Sequence, residues 1–218
     1  MEYKFYYWGP YLQQVKIPKD VGDELLNRGE RLKNVKEYDF REKLAGDIRH
    51  EYKYPDIDKK YFVENTVEIF NNYMIQLKNW VTVSEENNSN AKILKMEDLW
   101  INFMGSNEYN PIHTHSGDLS FVIYLKVADE LKMESHNYKG TSAGPGKIEF
   151  IYGEKQGNCI TGHSFLPEQY DMFIFPATLK HFVYPYKSDV ERVSVSGNIV
   201  FEKQNNNLNH QKVNYEDN

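Results

Sequence analysis

Two imidazoles set two residues apart, His113 and His115, are the first groups in this chain that could do chemistry; they lie in Asn110-Pro111-Ile112-His113-Thr114-His115-Ser116-Gly117-Asp118. On a strand alternate side chains share a face, so both rings point the same way, roughly 6.5 Å apart along the chain. Neutral imidazoles at that spacing can share one metal ion, with metal–nitrogen bonds of about 2.1 Å. The next residues, Leu119-Ser120-Phe121-Val122-Ile123-Tyr124-Leu125, are β-branched and aromatic and must be buried. A metal-competent polar edge leading into such a run is the pattern of a site at the mouth of a β-barrel or sandwich. His-x-His also occurs on ordinary exposed strands, so its meaning depends on partners elsewhere.

Those partners come from Phe175-Pro176-Ala177-Thr178-Leu179-Lys180-His181-Phe182-Val183-Tyr184-Pro185 and from the strand Arg192–Phe201. In that strand Arg192, Ser194, Ser196 and Asn198 share one face, while Val193, Val195, Ile199 and Phe201 share the other. A buried charge is costly unless paired, so Arg192 on this serine-rich face should meet an anion. A turn near Tyr186-Lys187-Ser188-Asp189 predicts that the strand folds back antiparallel on residues 181–185. That register sets a third imidazole, His181, beside Arg192 and Ser194.

The elements that must carry these groups follow from periodicity. Residues 3–16 read as two short strands broken at Gly9-Pro10, and Lys19–Asn34 as an amphipathic helix with Val21, Leu25, Leu26 and Leu32 on one side. Residues 35–60 read as loop with some helix. Lys60–Trp80 is the clearest helix, with Val63, Val67, Phe70, Met74 and Leu77 as the stripe it lays on a sheet. Ser84–Asn90 is a loop. Strands are predicted at Lys92–Phe103, Leu119–Val127, Lys147–Tyr152, Met172–Phe175, Phe182–Tyr184 and Arg192–Phe201. Residues 128–146 form a long loop whose glycines lack the spacing and context of a phosphate loop. The polar stretch after Lys203 is expected to fray.

The chain has 218 residues, enough for one large domain: residues 1–90 pack on a core formed by 91–202, and 203–218 form a disordered tail. Aromatic residues make up 15%, with 17 Tyr and 12 Phe, which favours strands. A net charge of −6 without a long Lys/Arg run argues against bulk nucleic-acid binding. The lone cysteine, Cys159, allows no internal disulfide and reads as a small hydrophobe on a strand. With no run of about 18 apolar residues and no signal-peptide pattern, a cytoplasmic protein with no membrane partner is expected.

Over residues 96–201 these motifs resemble the Fe(II)/2-oxoglutarate-dependent oxygenases, in the branch where His-x-His precedes a Leu-Ser-x-x-x-Tyr strand, with prolyl hydroxylases as distant relatives. The resemblance is carried by Trp100-Ile101-Asn102-Phe103, His113-Thr114-His115, Tyr124-Leu125, Gly146-Lys147-Ile148-Glu149-Phe150, Phe175-Pro176…His181…Pro185 and Arg192-x-Ser194. It implies a mainly β protein with flanking helices, a double-stranded β-helix (jelly roll, cupin-like) with the metal at one open end. It further implies Fe(II) on His113, His115 and His181, and 2-oxoglutarate with its far carboxylate on Arg192 and Ser194, helped by Tyr124. Asn102 and Asn198 would lie around the co-substrate. The implied activity is a dioxygenase that hydroxylates a C–H bond, using dioxygen and 2-oxoglutarate, with a peptide or protein side chain as substrate.

The common ligand set is two histidines and one carboxylate, and here the middle position is His115. Either three imidazoles hold the metal, or Asp118 supplies the carboxylate after a turn at Ser116-Gly117. Two other functions fit the same residues: a cupin-type metalloenzyme that uses no oxoacid, and a non-catalytic β-sandwich that binds through its tyrosines.

Overall fold

The structure is a computed structural model and describes residues 9–81 and 92–203. Among the described residues ten strands form two antiparallel sheets. The larger has the order β1 (Gln13–Lys16), β8 (Asp171–Pro176), β5 (Leu119–Lys126), β10 (Arg192–Lys203), β3 (Lys92–Met104) and β2 (His50–Lys53). The smaller has the order β4 (Asn110–His113), β9 (Lys180–Val183), β6 (Ile148–Ile151) and β7 (Gly162–Phe165). From β3 onward the chain passes back and forth between the sheets, the β6–β7 hairpin excepted, and the two sheets enclose a recess between them. This is the predicted double-stranded β-helix, with strands from the N-terminal region completing both edges of the larger sheet.

Helices α1 (Lys19–Glu30) and α2 (Asp56–Val81) cover the outer face of the larger sheet. Val21 and Leu25 of α1 and Phe62, Phe70 and Tyr73 of α2 pack against Leu99, Ile101, Phe103, Phe121, Ile123 and Val195. The larger sheet is therefore buried on both faces, and β5 is buried from Leu119 to Leu125. That burial accounts for a run with no polar alternation apart from Ser120. The last strand divides as its alternation predicts: Val193, Val195 and Ile199 face the helices. Gly197 lies on that face because a Cβ would come 2.6 Å from the Phe121 ring and 2.7 Å from the Asp98 carbonyl oxygen. The ring of Phe121 takes that space and stacks on Phe62 at 4.9 Å.

Several expectations need correction. The buried stripe of α2 runs through Phe62, Thr66, Phe70 and Tyr73, while Val63 and Val67 are 38% and 39% exposed. The rings bury more apolar area than the valines would, and the Thr66 hydroxyl donates to the Phe62 carbonyl at 2.7 Å, so its polarity costs little inside. Residues 35–60 contain β2 as well as two short 3-10 turns, and the loop at 128–146 begins with a helix, α3 (Asp129–Asn137). Cys159 is exposed in the turn between β6 and β7 rather than on a strand. The expected strand at residues 3–8, the loop at 84–90 and the tail beyond 203 lie outside the described residues. Among the described residues no helix is long and apolar enough to cross a membrane.

The predicted β9–β10 hairpin does not form. β9 pairs with β4 and β6, whereas β10 pairs with β3 and β5. The buried Tyr186 prevents a tight return: its hydroxyl donates to the carbonyls of Met104 and Val190 and accepts from the Arg192 amide at 3.2 Å. These bonds turn residues 184–191 into a crossover from the smaller sheet to the larger one. His181 and Arg192 consequently reach the same recess from opposite walls.

Candidate metal centre

His113 ends β4, and its register partner across the ladder is His181 of β9. His115 lies beyond the strand end, so regular alternation is not what aims it. Its amide donates to the Ala177 carbonyl at 2.9 Å, and the Asp118 amide donates to the Ile199 carbonyl at 2.9 Å. Between them Gly117 has φ +91°, and a Cβ there would sit 2.9 Å from the Ile199 oxygen. Glycine is required for the chain to turn this closely over β10 and return His115 toward its partners.

The three imidazoles converge. Ring centroids are 4.2 Å apart for His113 and His181, 4.8 Å for His113 and His115, and 5.0 Å for His115 and His181. One nitrogen from each ring falls within 4.8 Å of the other two, and the Nε2 atoms of His115 and His181 are 3.2 Å apart. Two bonds of about 2.1 Å to one ion place their nitrogens about 3.0 Å apart at a right angle and about 3.4 Å apart at a tetrahedral angle. The observed spacing lies in that interval.

Hydrogen bonding sets the tautomers. His113 Nδ1 is 2.7 Å from the Pro111 carbonyl and His181 Nδ1 is 2.9 Å from that of Leu179. A carbonyl only accepts, so each Nδ1 carries the proton and each Nε2 offers a lone pair. Burial lowers all three pKa values: His113 falls below the ordinary imidazole range, His115 drops to about 3 and His181 to about 4. For His115 and His181 the neighbouring rings add to that effect. The cluster is thus three neutral nitrogen donors, the state in which imidazole binds a cation.

The facing wall carries groups of opposite character. Arg192 opens β10 and is 3% exposed, with its guanidinium 5.3 Å from the centre of the Tyr124 ring. Its Nη1 donates to the Gly146 carbonyl at 2.9 Å and its Nη2 to Met104 Sδ at 2.8 Å, while its Nε has no partner. The buried Tyr124 hydroxyl also has no partner, and burial pushes its pKa up to about 12, so it stays a donor. Asn102 Nδ2 lies 3.4 Å from the Ser194 hydroxyl. Among the described residues no carboxylate forms an ion pair with Arg192. A buried cation with an unpartnered donor, beside an unpartnered phenol, has the donor set of an anion cradle. Cradle and histidines line one recess of about 570 Å³, counting its open mouth.

Two named residues stand elsewhere. Asp118 is not brought to the histidines: its carboxylate accepts from the Phe201 amide at 2.7 Å and fastens the turn to β10. Asn198 takes a hydrogen bond from the Ser120 hydroxyl at 2.7 Å and does not line the recess. Both are spent on local structure. The recess also has lining residues that the sequence reading passed over. Leu44 and Ala45 close it from the segment before β2, and Glu51 of β2 enters it as a buried carboxyl. Only the alternation in His50-Glu51-Tyr52-Lys53 hinted at a strand there.

Residues 98–198 match the family described as "Putative 2OG-Fe(II) oxygenase". A comparison with curated proteins finds no match. The fold is similar to that of a prolyl-4-hydroxylase from Pseudomonas putida, with a TM-score of 0.51 and 14% identity over 88% of this chain and 92% of that one. It is also similar to a viral collagen prolyl hydroxylase from Paramecium bursaria Chlorella virus-1, solved with 2-oxoglutarate, with a TM-score of 0.55 and 11% identity over 88% and 96% of the two chains. The match to that family covers residues 98–198, the part of the double-stranded β-helix in which three convergent imidazoles face a buried guanidinium, so in this region the chain is similar to the Fe(II)- and 2-oxoglutarate-dependent oxygenases.

Proposed function

We propose that this dioxygenase holds Fe(II) on His113, His115 and His181, seats the far carboxylate of 2-oxoglutarate on Arg192, Ser194 and Tyr124, and hydroxylates a C–H bond of a peptide or protein side chain. One observation carries the reading: a buried guanidinium, with no counter-ion among the described residues, shares a recess with three neutral, convergent imidazoles. Fe(II), when bound, supplies the centre at which dioxygen oxidises 2-oxoglutarate to succinate and carbon dioxide while one oxygen atom goes to the substrate.

The chain's own residues do the rest. The Pro111 and Leu179 carbonyls fix two imidazole planes before any ion arrives, so little reorganisation is needed on binding. Arg192 offers a planar fork to a carboxylate and is held in place by Gly146 and the Tyr124 face. The Tyr124 hydroxyl supplies a further donor in a site walled by Val122, Ile148, Phe175 and Val183, where displaced water strengthens each charge-assisted bond. Three neutral ligands leave both positive charges of Fe(II) uncompensated by the protein. One carboxylate of the dianionic oxoacid would offset one of those two charges and the other would pair with Arg192, so binding of the oxoacid supports that of the metal. The substrate class follows the prolyl hydroxylases among the structural neighbours.

The test is an anaerobic titration of the protein with Fe(II) and 2-oxoglutarate, followed through the visible metal-to-ligand charge-transfer band and then through succinate release on admitting air. A saturable band that disappears in the His181→Ala protein is expected. Full turnover by His181→Ala, or a band indifferent to 2-oxoglutarate, would overturn the assignment.

A further inference from the structure

We infer that Glu51, flanked by Asn102 and Asn110, forms the subsite for the primary substrate and takes a cationic, N–H-rich group, an ammonium or guanidinium. The inference rests on the oxygenase reading above and adds the class of substrate to it.

The pairing registers place the subsite. Tyr124 stands opposite Ser194, Ser194 opposite Asn102, and Asn102 opposite Glu51, one continuous row across β5, β10, β3 and β2. Neighbouring strands are about 4.8 Å apart, so Glu51 lies about 14 Å across the sheet from Tyr124. The row changes character along its length. At the β5 and β10 end the groups without partners are donors: Tyr124 hydroxyl and Arg192 Nε. Toward β2 and the facing edge strand β4 they are acceptors: Asn102 Oδ1, Asn110 Oδ1 and Glu51 Oε2. The donor end suits a carboxylate; the acceptor end suits a group that brings several N–H bonds.

Glu51 is 1% exposed, and its Oε2 has no hydrogen-bond partner. The charged groups that act on it are already engaged. Arg41 holds Asp39 through Nε at 2.9 Å and Nη2 at 2.5 Å, and Glu108 receives Arg49 Nε at 3.0 Å and the Gly105 amide at 2.8 Å. A buried carboxyl that no local cation serves is a costly group to keep in a fold. Burial, assisted by the nearby Glu108, raises its pKa to about 8, and a cation bound against it would favour the ionised carboxylate. Prolyl rings bring no such donor, which makes a basic side chain or amine the better match.

The test uses the protein loaded anaerobically with Fe(II) and 2-oxoglutarate. N-acetyl-arginine amide, N-acetyl-lysine amide, N-acetyl-proline amide and N-acetyl-glutamate amide are each titrated by calorimetry and by perturbation of the visible band. A cationic amide should bind at least ten-fold tighter than the proline and glutamate amides, and Glu51→Gln should remove that preference while 2-oxoglutarate still binds. The wild-type preference needs no variant, so the outcome stands even if Glu51→Gln fails to fold. A loaded protein without cation preference, or a preference intact in Glu51→Gln, overturns this inference alone. Absence of any 2-oxoglutarate-dependent band overturns the oxygenase reading and this inference with it.

Discussion

Replacing Arg192 with methionine removes the charge of the anion cradle while keeping most of its bulk. In the wild type the guanidinium is buried, has one idle donor and faces an idle phenol, so an arriving carboxylate gains charge-assisted bonds at little further desolvation cost. Truncating one partner of a buried, hydrogen-bonded charge pair costs about 2–5 kcal/mol, which is about 30-fold to several-thousand-fold in affinity. The assay is an anaerobic titration of the Fe(II) protein with two oxoacids, 2-oxoglutarate and 2-oxobutyrate, the second lacking the far carboxylate. Wild type should prefer 2-oxoglutarate by that factor, and Arg192→Met should bind the two nearly alike. The metal-free variant should be no less stable than wild type, because an uncompensated buried cation has been exchanged for an apolar side chain. A 2-oxoglutarate affinity within three-fold of wild type, or equal losses for both oxoacids, would refute the reasoning.

His181→Ala should weaken Fe(II) binding by more than about 100-fold, beyond the usual cost of losing an outer hydrogen-bond partner, and metal content after gel filtration checks it. Glu51 titrates in the fold at about 8 against an ordinary 4.5, so the native state keeps its proton to higher pH than the unfolded chain. Stability should therefore fall as pH climbs from about 4.5 to about 8. At 1.36 kcal/mol per pH unit this is about 5 kcal/mol at most, and urea unfolding of Glu51→Gln should lack that slope. Gly197→Ala drives a methyl into the Phe121 ring and the Asp98 carbonyl. A loss of about 1–3 kcal/mol is expected, lowering Tm by about 2–4 °C for each.

The sequence was legible where one interaction dominates. β5 carries its burial in its composition, and the alternation of β10 separates recess from helix-facing core. His113, His181, Arg192, Ser194, Tyr124 and Asn102 all line the recess, because strand period fixes the face of each of these wall residues, and His115 joins them through the turn at Gly117. Where several weak preferences compete, pattern was not enough. The turn residues after Pro185 suggested a local hairpin, but the buried Tyr186 hydroxyl spends its bonds on Met104, Val190 and Arg192 and sends the chain to the other sheet. β2 is a short polar edge strand, and its burial comes from the irregular segment just before it, whose path over the strand no periodicity records. Glu51 could not be distinguished from a surface glutamate, since nothing local records the strap of residues 39–48 that lies over it. The valines of α2 looked as apolar as its rings, and the register of the helix on the sheet was decided by size.

His113 and His181 belong to the four-stranded sheet, while Arg192, Ser194 and Tyr124 belong to the six-stranded one. The span between the two grips is consequently a property of the gap between layers, normally near 10 Å, and not of any loop. Spacers such as Val122, Ile148 and Phe175 act as the jaws of a caliper. On the proposed reading they would decide how many methylenes an oxodiacid must contain to be held at both ends.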